Sequence, residues 1–405
     1  MNPEIQNALQ RIAESQTLMR AQLIEFSNIN SGSFHVAGVN RFGAAMQELL
    51  APLAASSELI ALDDFQATAN DGAALRKPIG KALRLRQRPD APLQVFLGGH
   101  LDTVFAADHP FQHCVAPDAD SLHGPGVADL KGGLLVMHAA LSALEASPWR
   151  EQIGWEVVLN PDEEIGSEGS AALLREAATR NHIGLIYEPS FPNGNLAGER
   201  KGSGNFDVIV RGRAAHAGRE HHLGRNALRA AADFIAALDT LNGQREGVTI
   251  NPGFVHGGGA LNVVPDCCVF KFNVRTRIAE DQDWMQQQLE QLMARINARD
   301  GYQIALRGGF TRPPKPQTEA NQRLASMIGD CGKALDMTLA FEATGGCCDG
   351  NNLAAAGLPN IDNLGVVGGA IHSDQEHMRV SSLVERGQLS ALLLLKLASG
   401  EWRWH

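Results

Sequence analysis

The chain has 405 residues and carries 35 Lys+Arg against 45 Asp+Glu, a formal charge of −10 before histidine. That length predicts two or three domains with a sizeable core, and 44% apolar with 20% charged residues is an ordinary globular mix. The acidic balance speaks against a general nucleic-acid binder, which needs a basic stripe for phosphates. No apolar run is expected to approach the ~20 residues of a membrane span; the longest candidate, Ala391 to Leu395, is interrupted by Lys396.

The N-terminal stretch MNPEIQNALQRIAESQ is polar and amphipathic, without a secretory h-region. Ile5, Leu9, Ile12, Leu23 and Phe26 recur at near-helical spacing and predict one helix over the first 29 residues. A turn follows at Asn30 to Ser33, then a helix from Val39 to Leu50. Next come a strand at Val95 to Leu97 ending in Gly98 and Gly99, a helix at Leu134 to Leu144 and a strand at Trp155 to Leu159. A helix at Ala171 to Ala178 and a strand at Gly184 to Tyr187 continue the alternation, which predicts a mostly parallel sheet with helices on both faces. From residue 203 the texture changes. Strands at Asn205 to Val210, Val248 to Val255, Val269 to Val274 and Tyr302 to Leu306 interleave with helices at Asn226 to Leu241 and Gln282 to Ile296. They read as a small αβ sandwich over 203–312, inserted into a larger domain made of 1–202 and 313–405, with Pro313, Pro314 and Pro316 marking the return.

Six cysteines without a CxxC spacing form neither a disulfide framework nor a thiolate zinc site, so a reducing cytoplasm is expected. Fourteen histidines in an acidic chain are more informative. His100 and Asp102 follow the first apolar strand, where open α/β sheets place ligand sites; an imidazole there can bind a metal while a carboxylate fixes its tautomer. Asp129 stands in a glycine-rich turn, Gly124 to Gly133, that lacks the order of a phosphate-binding loop. It reads either as a carboxylate that bridges two metals or as a cap for the helix behind it. Asp162, Glu163 and Glu164 crowd the end of the next strand. Their mutual repulsion is relieved by solvent or by a metal, in which case one acid ligates and its neighbour is a free general base. Glu188 ends a third strand, and His372 lies in a late glycine loop with His377 as its rival. Imidazole and carboxylate donors without thiolate suit Zn²⁺ or Co²⁺ in an open hydrolytic site. His109, His113, His221 and His222 are poorer candidates: Pro110 interrupts the first pair, and the second reads as surface loop.

In order along the chain, HLDT, GxxDxKG, DEExGS and GxxxHSD resemble zinc metallopeptidase family twenty over nearly the whole length. Gly212 to Gly218 with His216, then Asn262 to Pro265 and Asn273 to Arg275, look like that family's lid and dimerisation domain. Tyr187-Glu188-Pro189 and Gly345 to Gly350 look like its glutamate carboxypeptidase branch. The resemblance implies a zinc-peptidase-like α/β fold, a mixed sheet flanked by helices with the inserted αβ lid. It implies two zinc ions per subunit, with Co²⁺ as a substitute: one on His100, Asp129 and Glu188, the other on Asp129, Glu164 and His372. Asp102 would orient His100, and Glu163 would be the general base. His216 and Asn262 would reach a site across a homodimer, and Arg275 and Arg312 would hold a substrate α-carboxylate. The implied reaction is hydrolysis of an N-acyl amino acid or peptide with release of its C-terminal residue, without nucleic-acid or membrane partners. The alternatives are a small N-acyl-amino-acid deacylase and a non-catalytic metal-binding homologue; the intact Glu163 disfavours the latter. Two features depart from the pattern. Cys347 and Cys348 stand where small or hydroxyl residues are usual, and a lysine that reads acidic side chains has no counterpart after Glu188.

Overall fold

The structure, a computed structural model, describes residues 1–404. Three helices open the chain: α1 (Pro3–Glu14), α2 (Gln16–Ser27) and α3 (Val36–Leu50). The single helix expected over the first 29 residues is thus two, broken at Ser15. The Ser15 hydroxyl donates to the Ile12 carbonyl, and such back-bonding competes with the helical ladder. Five strands follow: β1 (Ser56–Ile60), β2 (Phe65–Thr68), β3 (Ala74–Lys77), β4 (Ala82–Gln87) and β5 (Leu93–His100). Then come β6 (Ser121–His123), α4 (Gly132–Glu145), β7 (Ile153–Asn160), α5 (Ala171–Arg180), β8 (Ile183–Ile186) and β9 (Leu196–Arg200).

The inserted unit consists of β10 (Gly202–Arg211), α6 (Ala227–Asp239), β11 (Thr249–Gly257), β12 (Cys267–Thr276), α7 (Ala279–Asn297) and β13 (Gln303–Arg312). The chain returns through α8 (Glu319–Ala334), β14 (Phe341–Thr344), α9 (Asp349–Ala355), β15 (Asn360–Ile361), β16 (Gly368–Gly369), β17 (His377–Arg379) and α10 (Ser381–Ala398).

The main sheet runs β1-β4-β7-β5-β8-β15. Strands β7, β5, β8 and β15 are parallel, while β4 and β1 pair antiparallel at one edge, so the sheet is mixed. Side chains alternate across it with the period of two that a strand imposes. Val95, Leu97 and Val157 face a large core shared with α1 to α4, α8 and α10. Phe96 and Val158 face a smaller one under α5 and α9. Four consecutive leucines, Leu392 to Leu395, are all fully buried, so α10 is enclosed on every side. Each such side chain stabilises the fold by roughly 1.5–3 kcal/mol. The helical stretch from Val127 to Glu145 is long and apolar enough to cross a membrane by composition alone, which the sequence reading did not anticipate. Here 89% of it is buried inside the protein as a core helix.

Within α4, burial pushes the His138 imidazole down to about 4. Folding therefore favours neutral His138, whereas the unfolded chain takes up a proton near pH 6.5. The stabilisation is complete above that pH and is lost as pH falls toward 4, by on the order of 3 kcal/mol in full. His138→Gln is expected to flatten this part of the acid limb in a urea-unfolding series; an unchanged limb would contradict the assignment.

The second sheet, β11-β12-β10-β13, is wholly antiparallel. Helices α6 and α7 pack on it through Phe234, Leu238, Met285 and Leu289. The chain leaves and re-enters the main domain at neighbouring points, since Arg200 bridges Lys315 and Ser203 pairs with Arg312. The β2–β3 hairpin reaches across to this domain: Lys271 Nζ donates to the Thr68 carbonyl at 3.2 Å and Arg211 Nη2 to that of Asp71 at 2.6 Å.

Candidate metal centre

Three parallel neighbours in the sheet end side by side. His100 closes β5 opposite Asn160, Glu163 and Glu164 follow β7, and Glu188 follows β8. Ligand sites of open sheets form at such carboxyl ends, because the chain turns away there and leaves a crevice. Two loops complete the set. Asp129 sits in an irregular turn after β6, and His372 sits between β16 and β17; β17 pairs with both β16 and β6, which brings the two loops together. The Asp129–Leu130 peptide is cis. Gly126 opens the turn at φ +74°, a region open to glycine at low cost. At Gly133 a Cβ would lie 2.0 Å from the Tyr187 carbonyl oxygen, so only glycine lets α4 approach Tyr187, the residue before Glu188.

Two donor groups share Asp129. His100, Asp129 and Glu188 form one, and Asp129, Glu164 and His372 the other; within each, the ligand atoms lie within 4.8 Å of one another. Asp129 Oδ1 is 3.1 Å from His100 Nε2, and Asp129 Oδ2 is 3.2 Å from His372 Nε2. Glu188 Oε2 lies 3.9 Å from His100 Nε2, and Glu164 Oε2 lies 3.1 Å from His372 Nε2. Each oxygen of one carboxylate therefore faces a different group, the disposition of a bridging ligand. His372 holds its place with a left-handed backbone, φ 63°, a strain of the kind that persists where surroundings fix it.

The electrostatics describe a site short of positive charge. Burial, and then the Asp129 charge, push Glu164 up to about 8. Burial likewise holds Glu188 well above the usual carboxylate range. For Asp129 burial acts in the same direction, but hydrogen bonds from His100 and His372 outweigh it and hold the carboxyl low. Hydrogen bonds to Asp129 and Glu164 raise His372 to about 11. Protons thus do what cations would do, and nitrogen and oxygen donors without thiolate fit zinc.

Asp102 has two tasks. Its Oδ1 is 3.5 Å from His100 Nδ1, and its backbone carbonyl accepts from the same nitrogen at 3.0 Å. The carboxylate also accepts from the amides of Glu163 and Glu164, at 3.1 and 3.2 Å, and from Ser33 Oγ at 2.7 Å. It therefore fixes both the histidine and the acidic turn. The Asp129 turn has its own anchor, absent from the sequence reading. The Glu376 carboxylate accepts from the backbone amides of Gly126, Ala128 and Asp129 at 2.9–3.0 Å. Burial, with the Asp129 charge beside it, pushes Glu376 up to about 7. Glu376→Ala is expected to weaken zinc binding about 10–100-fold, the usual cost of losing a group that positions a ligand. A competition titration against a zinc chelator measures it, and unchanged affinity would remove Glu376 from the account.

Glu163 belongs to neither donor group; its Oε1 lies 2.8 Å from Arg312 Nη2. That nitrogen also donates to the Glu163 carbonyl at 2.7 Å and to Ser167 Oγ at 2.9 Å, so much of the Arg312 guanidinium is committed to the acidic turn. Arg275 Nη1 lies 2.9 Å from Cys347 Sγ, and Arg312 Nη1 lies 3.7 Å from the same sulfur. Both arginines line a cavity of about 500 Å³ together with Asp129, Glu163, Glu164, Glu188 and His372. Cys348 is buried and caps α9, accepting from the Gly350 amide. His377 turns Nδ1 to the Gln375 carbonyl at 3.0 Å and joins neither donor group. His216 and Asn262 are exposed on the inserted domain, close to each other, and do not line the cavity of their own chain. Their loops bridge there: His216 pairs with Val263, and the Ala217 amide donates to the Asn262 carbonyl at 2.8 Å.

Comparison with known proteins accords with this arrangement. Residues 198–301 match the M20 peptidase dimerisation domain. The chain is 30% identical over 316 residues to carboxypeptidase G2 of Pseudomonas sp. strain RS-16, covering 76% of this chain and 74% of that one. This chain belongs to the M20 metallopeptidase family. It is also 26% identical over 332 residues to succinyl-diaminopimelate desuccinylase of Leptothrix cholodnii, covering 76% of this chain and 84% of the relative. Among solved structures, an M20 family metallo-carboxypeptidase from Sulfolobus solfataricus superposes with a TM-score of 0.72 at 15% identity, over 93% of this chain and 98% of the other. The mixed α/β fold with its inserted domain is that of the family, and the chain is a metal-dependent amide hydrolase.

Proposed function

We propose that this hydrolase releases a C-terminal amino acid from an N-acyl amino acid or peptide, using two zinc ions bridged by Asp129. The observation that carries the reading is the convergence of Arg275 and Arg312 on one point, at Cys347 Sγ, across the same cavity as the carboxylate cluster. Two guanidinium groups aimed at one spot form an anion site, and planar arginine suits a carboxylate. A substrate held there by its free α-carboxylate has its amide near Glu163. His100, Asp129 and Glu188 would hold one ion, and Asp129, Glu164 and His372 the other. When bound, the ions would supply Lewis acidity, which lowers the pKa of the attacking water and polarises the scissile carbonyl.

Glu163 takes a proton from the attacking water as the new C–O bond forms, then delivers it to the amide nitrogen as the C–N bond breaks. Arg312 keeps the Glu163 carboxylate in place through its 2.8 Å contact. In a homodimer formed through the inserted domain, His216 and Asn262 of the partner subunit would reach the site, with His216 donating to the developing oxyanion. Their exposure on the inserted domain supports that reading.

The test is amino-acid release by the zinc-loaded protein from N-acyl amino acids and short peptides. Turnover of peptides or aroyl amino acids, abolished when the α-carboxylate is amidated, supports the proposal. Turnover confined to acetyl or succinyl amino acids would replace it with the small deacylase. Equal turnover of amidated substrates would remove the carboxylate clamp.

A further inference from the structure

Helix α10 is packed among apolar neighbours, yet one stripe of it is polar. Ser382, Arg386 and Ser390 are spaced four apart, so they share a face, and all three are buried. Ser382 has its partners: its Oγ accepts from the Val367 amide at 3.0 Å and donates to the Arg379 carbonyl. Arg386 does not. It is 1% exposed, and its Nη2 donates to the Gly194 carbonyl at 2.6 Å. Its Nε and Nη1 are buried with no hydrogen-bond partner among the described residues. One turn further along, the Ser390 and Tyr187 hydroxyls lie beside each other, close but out of line for a full hydrogen bond.

The charge on Arg386 is unanswered as well. The two other buried arginines each pair with a carboxylate: Arg200 with Asp362 at 2.6 Å, and Arg312 with Glu163 at 2.8 Å. Arg386 makes no ion pair among the described residues. The adjacent acid, Glu385, is committed to Arg379 through both of its oxygens, at 2.6 and 2.7 Å. Burial accordingly pushes the Arg386 guanidinium down to about 10, with Glu385 offsetting part of this and Arg379 adding to it. A buried charge is retained at low cost only where a counter-charge and hydrogen bonds meet it. The unmet groups here are donors. Nε carries one N–H, Nη1 carries two, and both hydroxyls can turn their protons toward a common acceptor.

We infer that Arg386, with the Ser390 and Tyr187 hydroxyls, forms a buried site for one small monovalent anion of the halide class. One negative charge matches one guanidinium. A phosphate dianion would leave a charge over among Leu389, Leu392 and Leu393, all fully buried. The position gives the anion a task. Tyr187 stands just before Glu188, and Arg386 holds Gly194, so the anion ties both ends of the segment Tyr187–Gly194 to α10. That segment carries Glu188 and walls the 500 Å³ cavity through Pro189, Ser190, Phe191 and Pro192. The bracing of Glu188 rests on its proposed role as a metal ligand; the anion site itself does not.

The experiment purifies and crystallises the full chain in bromide and records diffraction at the bromine absorption edge. An anomalous peak beside Arg386 Nε and Nη1 is expected; a water there, with no peak, would overturn the site. In solution, at one ionic strength, the thermal midpoint in chloride should exceed that in isethionate, a bulkier anion, by about 2 °C or more. Arg386→Met should abolish the difference, and a difference that survives the substitution would assign it to general salt effects and sink the inference. If Arg386→Met does not fold, the bromide peak and the chloride dependence of the parent protein decide between them. A peak without any chloride dependence means binding at crystal concentration only and counts against the site. Zinc affinity, measured by chelator competition, tests the bracing. It should be about tenfold weaker in isethionate than in chloride, the scale for a group that positions a ligand. Equal affinities alongside a bromide peak would uphold the site and remove its hold on Glu188.

Discussion

Glu163→Gln is expected to lower kcat by about 10²–10⁴, the usual contribution of a positioned general base, while both metal ions stay bound. The expectation follows from geometry. Glu163 follows β7 beside two ligand groups and belongs to neither. Its backbone is pinned by Asp102, and its side chain contacts Arg312 and not the histidines. Glutamine keeps the shape and can still accept from Arg312, but it cannot take a proton from water. Steady-state kinetics alongside elemental analysis of bound zinc decide the matter. Loss of zinc together with activity would make Glu163 a ligand; full activity would make another group the base.

Asp129→Ala is expected to have the larger structural effect. Because Oδ1 faces His100 and Oδ2 faces His372, one substitution removes a ligand from both donor groups. Zinc affinity should fall by more than the ~10–100-fold seen for a group that only positions a ligand, and turnover should vanish with it. The contrast with Glu376→Ala is informative: that variant keeps all five ligand residues and loses only the anchor of the Asp129 turn. If Asp129→Ala retained two tightly held ions, the bridging assignment would fail.

The candidate metal site was legible in the sequence because its residues stand where apolar strands stop. His100, Glu164 and Glu188 each follow a fully buried run, and a polar residue at such an end has few structural reasons to be there. The choice of His372 over His377 was not open to periodicity. It depends on the β16–β17 pairing, which turns one histidine toward Asp129 and leaves the other on a backbone carbonyl. Glu376 escaped for a related reason: its partners lie about 250 residues earlier in the chain, and a carboxylate near a histidine motif looks solvated until the fold encloses it.

The edge of the main sheet was also illegible. Strand β1 is at most half-buried along its length and β3 is exposed throughout, so neither carries the alternation that marks a strand. The break at Ser15 was hidden because the apolar positions of α1 and α2 continue one helical period across it. For the inserted domain, β12, α6 and α7 were readable because each buries one face.

The proposed centre holds two metal ions sharing one carboxylate at the carboxyl ends of the central strands. Anomalous diffraction at the zinc edge from crystals of the zinc-loaded protein tests that directly. Two peaks per chain are predicted: one among His100, Asp129 and Glu188, the other among Asp129, Glu164 and His372. No peak at either group, or one confined to residues elsewhere in the chain, would contradict the account.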